Sequence, residues 1–500
     1  MFFMRRRRTQ DGVGIESVRR TQEESQQQTY RAGDSLLPGM YEEGRIMTGN
    51  GNKKDRYTMM TETPVPRLIT KLAVPTIISM LVTGLYNMAD TYFVAQIPGE
   101  GTLATAAVGI VFPMMAVIQA LGFMFGHGSG NFLSRMLGAG KKKEASEMAS
   151  TGFALALITG LLVLALGTVF LRPMTQFLAS SDVTEETLEL TMQYAAIILI
   201  GAPFMMCQFV INNQLRFQGA AMYAMVGLLA GAILNVGLDP LLILGLDMGV
   251  RGAALATISG QIMSFVILLM GSRRGENIRL HVRNVHINGY YIGQVLNGGF
   301  PSLVRQGMAA IATILLNRAA GEYGQEAAIA GMSIVTRVLM MLSSALIGFG
   351  QGYQPVCSFN YGAGKKDRVR EGFWFCLRWG TVFLLVVSGA CIVFAPEIIT
   401  FFRDEPAVVE VGSAALRYQA ATLPLLATTV MINMMLQSIG KGVKASITAS
   451  ARNGLFFIPA ILILPPVFGL TGVETAQAVA DVCAVCLAIP LAASELRKMK

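Results

Sequence analysis

Two carboxylates lie inside long apolar segments of the sequence, where charged residues are rare. Asp90 falls in the segment 68–96 and Asp239 in the segment 220–245. An ionisable side chain inside a membrane-spanning helix is costly and indicates a function by default. A desolvated pair of carboxyl groups can take up a proton, and carboxylate oxygens also suit a hard cation such as Na⁺. These two residues are the first candidates for H⁺ or Na⁺ binding.

Polar side chains accompany both carboxylates at helical spacing. Tyr86 and Asn87 precede Asp90 by four and three residues, and Asn235 precedes Asp239 by four. Residues three or four apart lie on the same face of a helix. Each carboxylate is therefore expected to share its helix face with amide or hydroxyl oxygens.

The next apolar segment adds a hydroxyl, since Thr257 is expected at a similar depth in the membrane. A purely structural interpretation exists for each carboxylate taken alone. Asp239 precedes Pro240 and could end a helix, and Asp90 could be exposed at the membrane surface. The matched depth and the presence of Asn235 favour a common binding site.

The composition indicates that lipid surrounds these residues. Of 500 residues, 53% are hydrophobic and 14% are charged, with a mean hydropathy of +0.52, whereas a soluble domain has about 25% charged residues. An ordinary soluble enzyme is thereby excluded. The six cysteines show no disulfide or metal-ligand spacing, and Cys483 and Cys486 lie without a second pair in an apolar segment. No cofactor and no structural metal are expected.

Twelve apolar segments are long enough to cross a membrane. About 20 residues at about 1.5 Å per residue span a hydrocarbon core of about 30 Å. The segments lie at 68–96, 103–128, 147–171, 190–215, 220–245, 250–271, 289–318, 325–353, 372–395, 411–438, 443–466 and 471–495. The sequence therefore predicts an all-α polytopic membrane protein with twelve transmembrane helices.

The connections between the segments alternate in charge. Every second connection is basic, as at 141–143, and the others are acidic or nearly neutral. Basic loops remain in the cytoplasm, so both termini are predicted to be cytoplasmic and the net charge of +9 reflects topology rather than a nucleic-acid partner. Residues 1–61 are polar, with an arginine run at 5–8, and are expected to form a disordered cytoplasmic extension. Met59 or Met60 is an alternative start.

The chain also repeats itself at an offset of about 220 to 226 residues. The run Gly126-His127-Gly128 and the later Gly138-Ala139-Gly140-Lys141-Lys142 correspond to Gly350-Gln351-Gly352 and Gly362-Ala363-Gly364-Lys365-Lys366. Each half has six helices, and because six is even, both halves enter the membrane from the same side. Two six-helix lobes are predicted, 62–280 and 281–500, related by a pseudo-two-fold axis along the membrane normal.

These features together resemble the MATE family of multidrug and toxic compound extruders, in particular its DinF-like and Mep-type prokaryotic branch. The resemblance rests on Pro75, Tyr86 and Ala89-Asp90-Thr91, on Asn235-x-x-x-Asp239-Pro240, and on the two Gly-Ala-Gly-Lys loops. It covers roughly residues 62–495. It implies a two-lobed antiporter in the cytoplasmic membrane that expels cationic or amphipathic small molecules in exchange for H⁺ or Na⁺.

The resemblance also implies roles for individual residues. Asp90, Asn235, Asp239 and Thr257 correspond to the cation site of the N-terminal lobe. Positions expected to line the substrate path, from this resemblance or from residue type, are Tyr86, Asn87, Asn212, Met205 and Arg305. Arg305 has an alternative interpretation, in which its side chain extends toward the membrane surface. Pro75 lacks an N–H and is expected to let its helix bend.

One feature of the NorM-like branch is absent. Where that branch has a glutamate about nine residues after the proline of the seventh helix, this chain has Ala309-Ala310, so a cation site of that type is not expected in the C-terminal lobe. His127, near the end of the second segment, either relays protons or packs through a hydrogen bond.

Four other interpretations compete with drug export driven by an ion gradient. The Gly-Ala-Gly-Lys-Lys loops lack the spacing of a nucleotide-binding loop, which favours secondary transport over an ATP-driven pump. A flippase for lipid-linked precursors would favour a basic central cavity, and an intramembrane enzyme would need a nucleophile, base or metal cluster at one depth. A receptor would not require two matched halves. The expected partners are the lipid bilayer and small molecules, and the expected state is a monomer.

Overall fold

The structure is a computed structural model that describes residues 54–179 and 183–499. Throughout this part of the chain, all regular secondary structure is helical. The helices, in chain order, are α1 (Lys54–Glu62), α2 (Val65–Ala95), α3 (Gly101–Gly138), α4 (Lys142–Val169), α5 (Leu171–Leu178), α6 (Glu185–Phe217), α7 (Ala221–Asp239), α8 (Gly249–Ser272), α9 (Gly289–Gly362), α10 (Lys366–Val393), α11 (Ala395–Phe402), α12 (Pro406–Ser438), α13 (Gly442–Ser450), α14 (Phe457–Phe468) and α15 (Leu470–Arg497). A π-helical turn, Pro240–Gly245, extends α7, and a second one, Ala451–Leu455, joins α13 to α14.

The predicted twelve crossings are confirmed, although two of them share one helix. Within the described ranges, 11 helices are long and apolar enough to cross a membrane, counting each π-turn with the helix it extends. α9 alone has 74 residues, too many for one crossing at about 1.5 Å per residue. Its backbone leaves helical geometry at Gln325, where φ is 57° and ψ is −153°. α9 therefore turns there and crosses twice.

Four connections end in the same glycine-dependent turn. Gly140, Gly219, Gly364 and Gly440 have φ of +77°, +82°, +75° and +80°, a conformation that side chains disfavour. In each turn the amide after the glycine donates to the carbonyl five residues earlier, which closes the preceding helix. Gly140 and Gly364 are separated by the offset of the sequence repeat, and so are Gly219 and Gly440. We call the end of the bundle that carries these four turns the basic end.

Residues 54–61 were expected to belong to a disordered extension, but they form part of α1. Met60 is fully buried, and its carbonyl accepts a hydrogen bond of 3.0 Å from Asn360 Nδ2. Arg56 donates to Asn277 Oδ1 at 2.9 Å. These contacts explain the difference: α1 is too polar to look like a packed helix, but it lies across the basic end and contacts both halves of the chain. The expected extension at 1–53 lies outside the described residues.

The two halves of the chain touch backbone to backbone near the basic end. A Cβ added at Gly138 of α3 would lie 2.0 Å from the carbonyl oxygen of Phe359 on α9. A Cβ added at Gly362 would lie 2.0 Å from the carbonyl oxygen of Arg135. Ser358 donates to Asn131 Oδ1 at 3.0 Å across the same interface. Close approach of α3 and α9 thus joins the halves at this end.

Candidate functional site

Three helices bring the predicted acidic residues together. Asp90 on α2 is in hydrogen-bonding contact with Thr257 on α8. Asn235 on α7 lies with its Nδ2 atom 3.5 Å from Asp239 Oδ1. The two carboxylates are close enough to interact electrostatically. We call this set of four residues the acidic group.

Local backbone features hold the acidic group in place. Asp239 is the last residue of α7 before the π-turn, and Pro240 has no N–H to continue the α-helical ladder. The side chain of Asp239 is fully buried there. α7 and α8 also approach each other closely: a Cβ at Gly231 would lie 2.4 Å from the carbonyl oxygen of Gly260. This approach is possible only with glycine, and it places Asn235 beside α8.

The acidic group contains buried oxygens that lack hydrogen-bond partners. Among the described residues, Asp90 Oδ1, Asn235 Oδ1 and Asp239 Oδ2 are buried without one, and so is Oε1 of nearby Gln261. A buried unsatisfied acceptor costs about 1–3 kcal/mol, so a cluster of them needs an explanation. A proton shared by the carboxyl groups or a bound Na⁺ would satisfy these oxygens, because carboxylate, amide and hydroxyl oxygens are hard ligands. Within the described chain, no group of three or more His, Cys, Asp or Glu side chains could hold a metal ion.

Two tyrosines complete the surroundings of the acidic group. Tyr194 on α6 is 1% exposed and is in hydrogen-bonding contact with Thr257. Tyr86 on α2 is in contact with Gln261. Sequence reasoning found Tyr86 but missed Tyr194 and Gln261 as neighbours of the site. Whether Tyr194 and Gln261 face the acidic group depends on how α6 and α8 are rotated relative to α2, and the sequence repeat alone does not specify this rotation.

The other predicted lining residues lie elsewhere. Asn212 is buried and donates to the carbonyl oxygen of Ala224 at 3.0 Å, and Met205 packs in the apolar core of the first half. Arg305 is partly exposed on α9, near His127 rather than near the acidic group. The side chain of Asn87 lies outside the described part of the chain. A substrate-lining role for these residues stays a prediction.

Pro75 lies inside α2, at the interface with the other half. Its carbonyl oxygen accepts a hydrogen bond of 2.8 Å from Ser79. Close to it, a Cβ at Gly352 would lie 2.4 Å from Cα of Ala73, and one at Gly348 would lie 2.7 Å from Cα of Ile77. A bend in α2 at Pro75 would therefore move the interface directly.

The second half contains a partly buried ion pair that sequence reasoning missed. Arg452 lies in the π-turn before α14, and its Nε atom is 2.6 Å from Asp481 Oδ1 on α15. Gln477 Nε2 also donates to that oxygen, at 3.0 Å. The signal was present, because both charges lie within apolar segments just as Asp90 does. Unlike the acidic group, this pair is satisfied internally.

Comparison with known proteins decides the family. The MatE family model matches residues 75–241 and 301–462, one segment in each half. The chain belongs to the MATE family. It is accordingly a membrane transporter and not an enzyme, as predicted. The two matched segments also reproduce the offset of the internal repeat.

Relatives of this MATE transporter match over nearly their whole length. The multidrug export protein MepA of Staphylococcus aureus strain NCTC 8325 is 27% identical over 433 residues, which is 86% of this chain and 94% of MepA. MepA of Staphylococcus haemolyticus is 26% identical over 434 residues, with the same coverage of both chains. The agreement therefore extends over both halves.

Solved structures agree with this MATE transporter in fold. A MATE transporter in complex with MaL6 has a TM-score of 0.83 and 25% sequence identity, covering 90% of this chain and 99% of that one. An outward-facing multidrug resistance MATE family transporter of the MOP superfamily has a TM-score of 0.82 at the same identity and coverage. Others with 25% identity were solved in a straight and in a bent conformation.

Proposed function

We propose that this MATE transporter exports cationic or amphipathic small molecules in exchange for H⁺ or Na⁺. The observation that carries the proposal is the acidic group, in which three helices bring two carboxylates, an amide and a hydroxyl together and leave several buried oxygens unsatisfied. The names of the MepA relatives support multidrug export as the direction and substrate class. The acidic group supplies the site at which the coupling ion binds.

Coupling requires that the ion bind the two arrangements of the halves with different affinity. A ligand that binds both arrangements equally shifts neither. α2 carries Asp90 and, about four turns earlier, Pro75 at the interface with α9. Ion binding at Asp90 can therefore alter the bend of α2 and, through it, the contact between the halves.

The orientation and setting belong to the same proposal. The turns of the basic end carry lysines 141–143, 365, 366, 441 and 444, which the positive-inside rule places in the cytoplasm. Both termini then lie in the cytoplasm and substrates leave at the opposite end. We further propose that the transporter functions as a monomer in the cytoplasmic membrane.

The test is efflux of a fluorescent cationic dye from proteoliposomes under an imposed H⁺ or Na⁺ gradient. The variant Asp239→Asn removes a titratable oxygen while keeping the shape of the side chain. Couplings between two ligands amount to about 5–150-fold, so gradient-driven efflux should fall at least about fivefold. The matched control is Asp247→Asn, because Asp247 lies just beyond the π-turn but is exposed. Full gradient-driven efflux by Asp239→Asn would refute the coupling role of the acidic group.

One observation favours a second candidate, the flippase for lipid-linked precursors. Arg216 and Arg305 form a basic group near the interface of the halves, as such a flippase would require. The acidic group and the MepA relatives favour drug export. Transport of a lipid-linked substrate without any effect of Asp239→Asn would favour the flippase.

A further inference from the structure

Two arginines lie close together at the interface between the halves. Arg216 is the second-to-last residue of α6, and Arg305 lies on the first crossing of α9. Their charges are close enough to interact with each other, and both interact with His127 on α3. Arg216 is only 4% exposed, whereas Arg305 is partly exposed. We call these two residues the interlobe arginine pair.

The interlobe arginine pair has no acidic partner among the described residues. None of the ion pairs in the described part of the chain includes the guanidinium of Arg216 or of Arg305. Two other cations inside the bundle do have acidic partners: Arg452 is paired with buried Asp481, and Lys444 lies 2.5 Å from buried Glu495. Two like charges in a region of low dielectric repel each other strongly. The pair thus carries positive charge that the described chain leaves uncompensated.

The hydrogen bonds of Arg216 do not supply this compensation. Its guanidinium donates to Asn213 Oδ1 and to Gln351 Oε1, which are neutral acceptors, and its Nε is buried without a partner. The Gln351 contact reaches α9, so Arg216 bridges the two halves. Arg305 has no hydrogen bond to another described residue. At least one donor of the pair is therefore free to bind an acceptor.

The internal repeat shows that packing at this position does not require a charge. The residue equivalent to Arg216, at the offset of 221, is Gln437. It is fully buried, and its Nε2 atom donates to the carbonyl oxygen of Gly298 at 2.7 Å and to Ser302 Oγ at 2.9 Å. A neutral amide therefore completes the contact with α9 in the second half. The charge of Arg216 in the first half serves some other purpose.

We propose that the interlobe arginine pair binds an anionic group, a carboxylate or a phosphate, carried by an amphipathic molecule. This inference rests on the proposed export function and extends its substrates to zwitterionic and anionic amphiphiles. An anion placed between Arg216 and Arg305 removes the repulsion and accepts charge-assisted hydrogen bonds from both halves. Guanidinium groups suit both anions, because their donors match a carboxylate or a phosphate in a bidentate manner.

The test compares two dyes that differ only in the anionic group, a rhodamine methyl ester and the corresponding free carboxylic acid. Their dissociation constants are measured by fluorescence anisotropy with the purified full chain in nanodiscs of phosphatidylcholine. A hydrogen bond to a charged group contributes about 1.5–3 kcal/mol, which corresponds to at least about a tenfold change. In Arg305→Gln and in Arg216→Gln, the Kd of the acid divided by that of the ester should rise at least about tenfold. Arg305→Lys, which keeps the charge, should give a smaller rise.

The control is Arg318→Gln, an exposed arginine on the same crossing of α9, which should keep the wild-type ratio. An unchanged ratio in both Arg305→Gln and Arg216→Gln would overturn the proposal, and so would an equal loss of both dyes. Thermal unfolding of each variant shows whether it is folded. Gradient-driven efflux of the ester by the wild-type chain tests the export function separately, because the ester carries no anionic group.

A second arm identifies the source of the anion. Phosphatidylglycerol is added to the nanodiscs, and the Kd of the acid is measured again. If phosphatidylglycerol raises the Kd of the acid in the wild type but not in Arg305→Gln, the anion site is supported and is assigned to a lipid phosphate. If phosphatidylglycerol leaves the Kd of the acid unchanged, while the arginine variants still change the ratio of acid to ester Kd, the site is supported and is assigned to the anionic group of a transported molecule.

Discussion

Charged side chains inside this bundle belong to two kinds of site. In the acidic group, one oxygen each of Asp90, Asn235 and Asp239 lacks a partner, whereas Asp481 is satisfied by Arg452 at 2.6 Å and by Gln477 at 3.0 Å. An unsatisfied site is available to an ion, but a satisfied one stabilises the fold. The position of each charge was visible in the sequence, but its partner depended on helix rotation. Asp481 could therefore have been found from the sequence, but not its role.

Replacing Asp481 tests this distinction at the level of one residue. Asp481→Asn should lower the free energy of unfolding by about 1–3 kcal/mol, because it leaves the partly buried guanidinium of Arg452 without its counter-charge. The double variant Arg452→Met with Asp481→Leu should recover much of this loss, since neither charge remains. Thermal unfolding in detergent measures both effects.

The control for this prediction is an ion pair on the surface. Arg403 and Glu405 lie 2.8 Å apart, but both side chains are about half exposed. Glu405→Gln should change the stability by less than about 1 kcal/mol. If Asp481→Asn were as harmless as Glu405→Gln, the pair of Arg452 and Asp481 would not stabilise the second half.

The helices could be predicted from the sequence more completely than their contacts. All twelve crossings follow from apolar segments of about 20 residues, and two of the four glycine turns lie in the Gly-Ala-Gly-Lys loops that the repeat singled out. α1 was missed because its burial comes from contacts with distant residues, such as Asn277 and Asn360, and not from its own composition. The close approach of α3 and α9 was missed for the same reason. A glycine in an apolar segment does not reveal whether another backbone touches it.

Glycine substitutions in α3 distinguish a glycine that another backbone touches from one that no other backbone touches. Gly138→Ala places a methyl group 2.0 Å from the carbonyl oxygen of Phe359, so the backbones must move apart. Overpacking of this kind costs about 1–3 kcal/mol, and the melting temperature should fall. Gly109→Ala on the same helix is the control, because nothing lies within 4 Å of its added Cβ. It should leave the melting temperature unchanged or raise it, since alanine favours helix. Equal melting temperatures for the two variants would show that the α3–α9 contact does not limit stability.

At the scale of the whole molecule, the halves are joined at the basic end, and the proposed coupling between ion binding and transport predicts that this contact opens. Ser358 on α9 is fully buried and donates to Asn131 on α3, so it reports on the interface. In a chain whose six native cysteines are replaced, Ser358→Cys should react slowly with a maleimide. Minor arrangements are typically populated at about 0.1–10%. Conditions that favour opening at the basic end, set by the ion gradient and a substrate, should therefore raise the labelling rate at least about tenfold.

Two further cysteines make this result specific to the interface. Asp367→Cys, at a side chain that is 97% exposed next to the α9–α10 turn, should react quickly under all conditions. Ser388→Cys lies inside the second half, where Ser388 donates to the carbonyl oxygen of Ala420, and it should stay protected throughout. Separation of the halves as rigid units exposes position 358 but not position 388, because only the first lies between them. Labelling at 358 that stays as slow as at 388 under every gradient would mean that transport proceeds without opening this interface, and the role given to Pro75 and α2 would then be wrong.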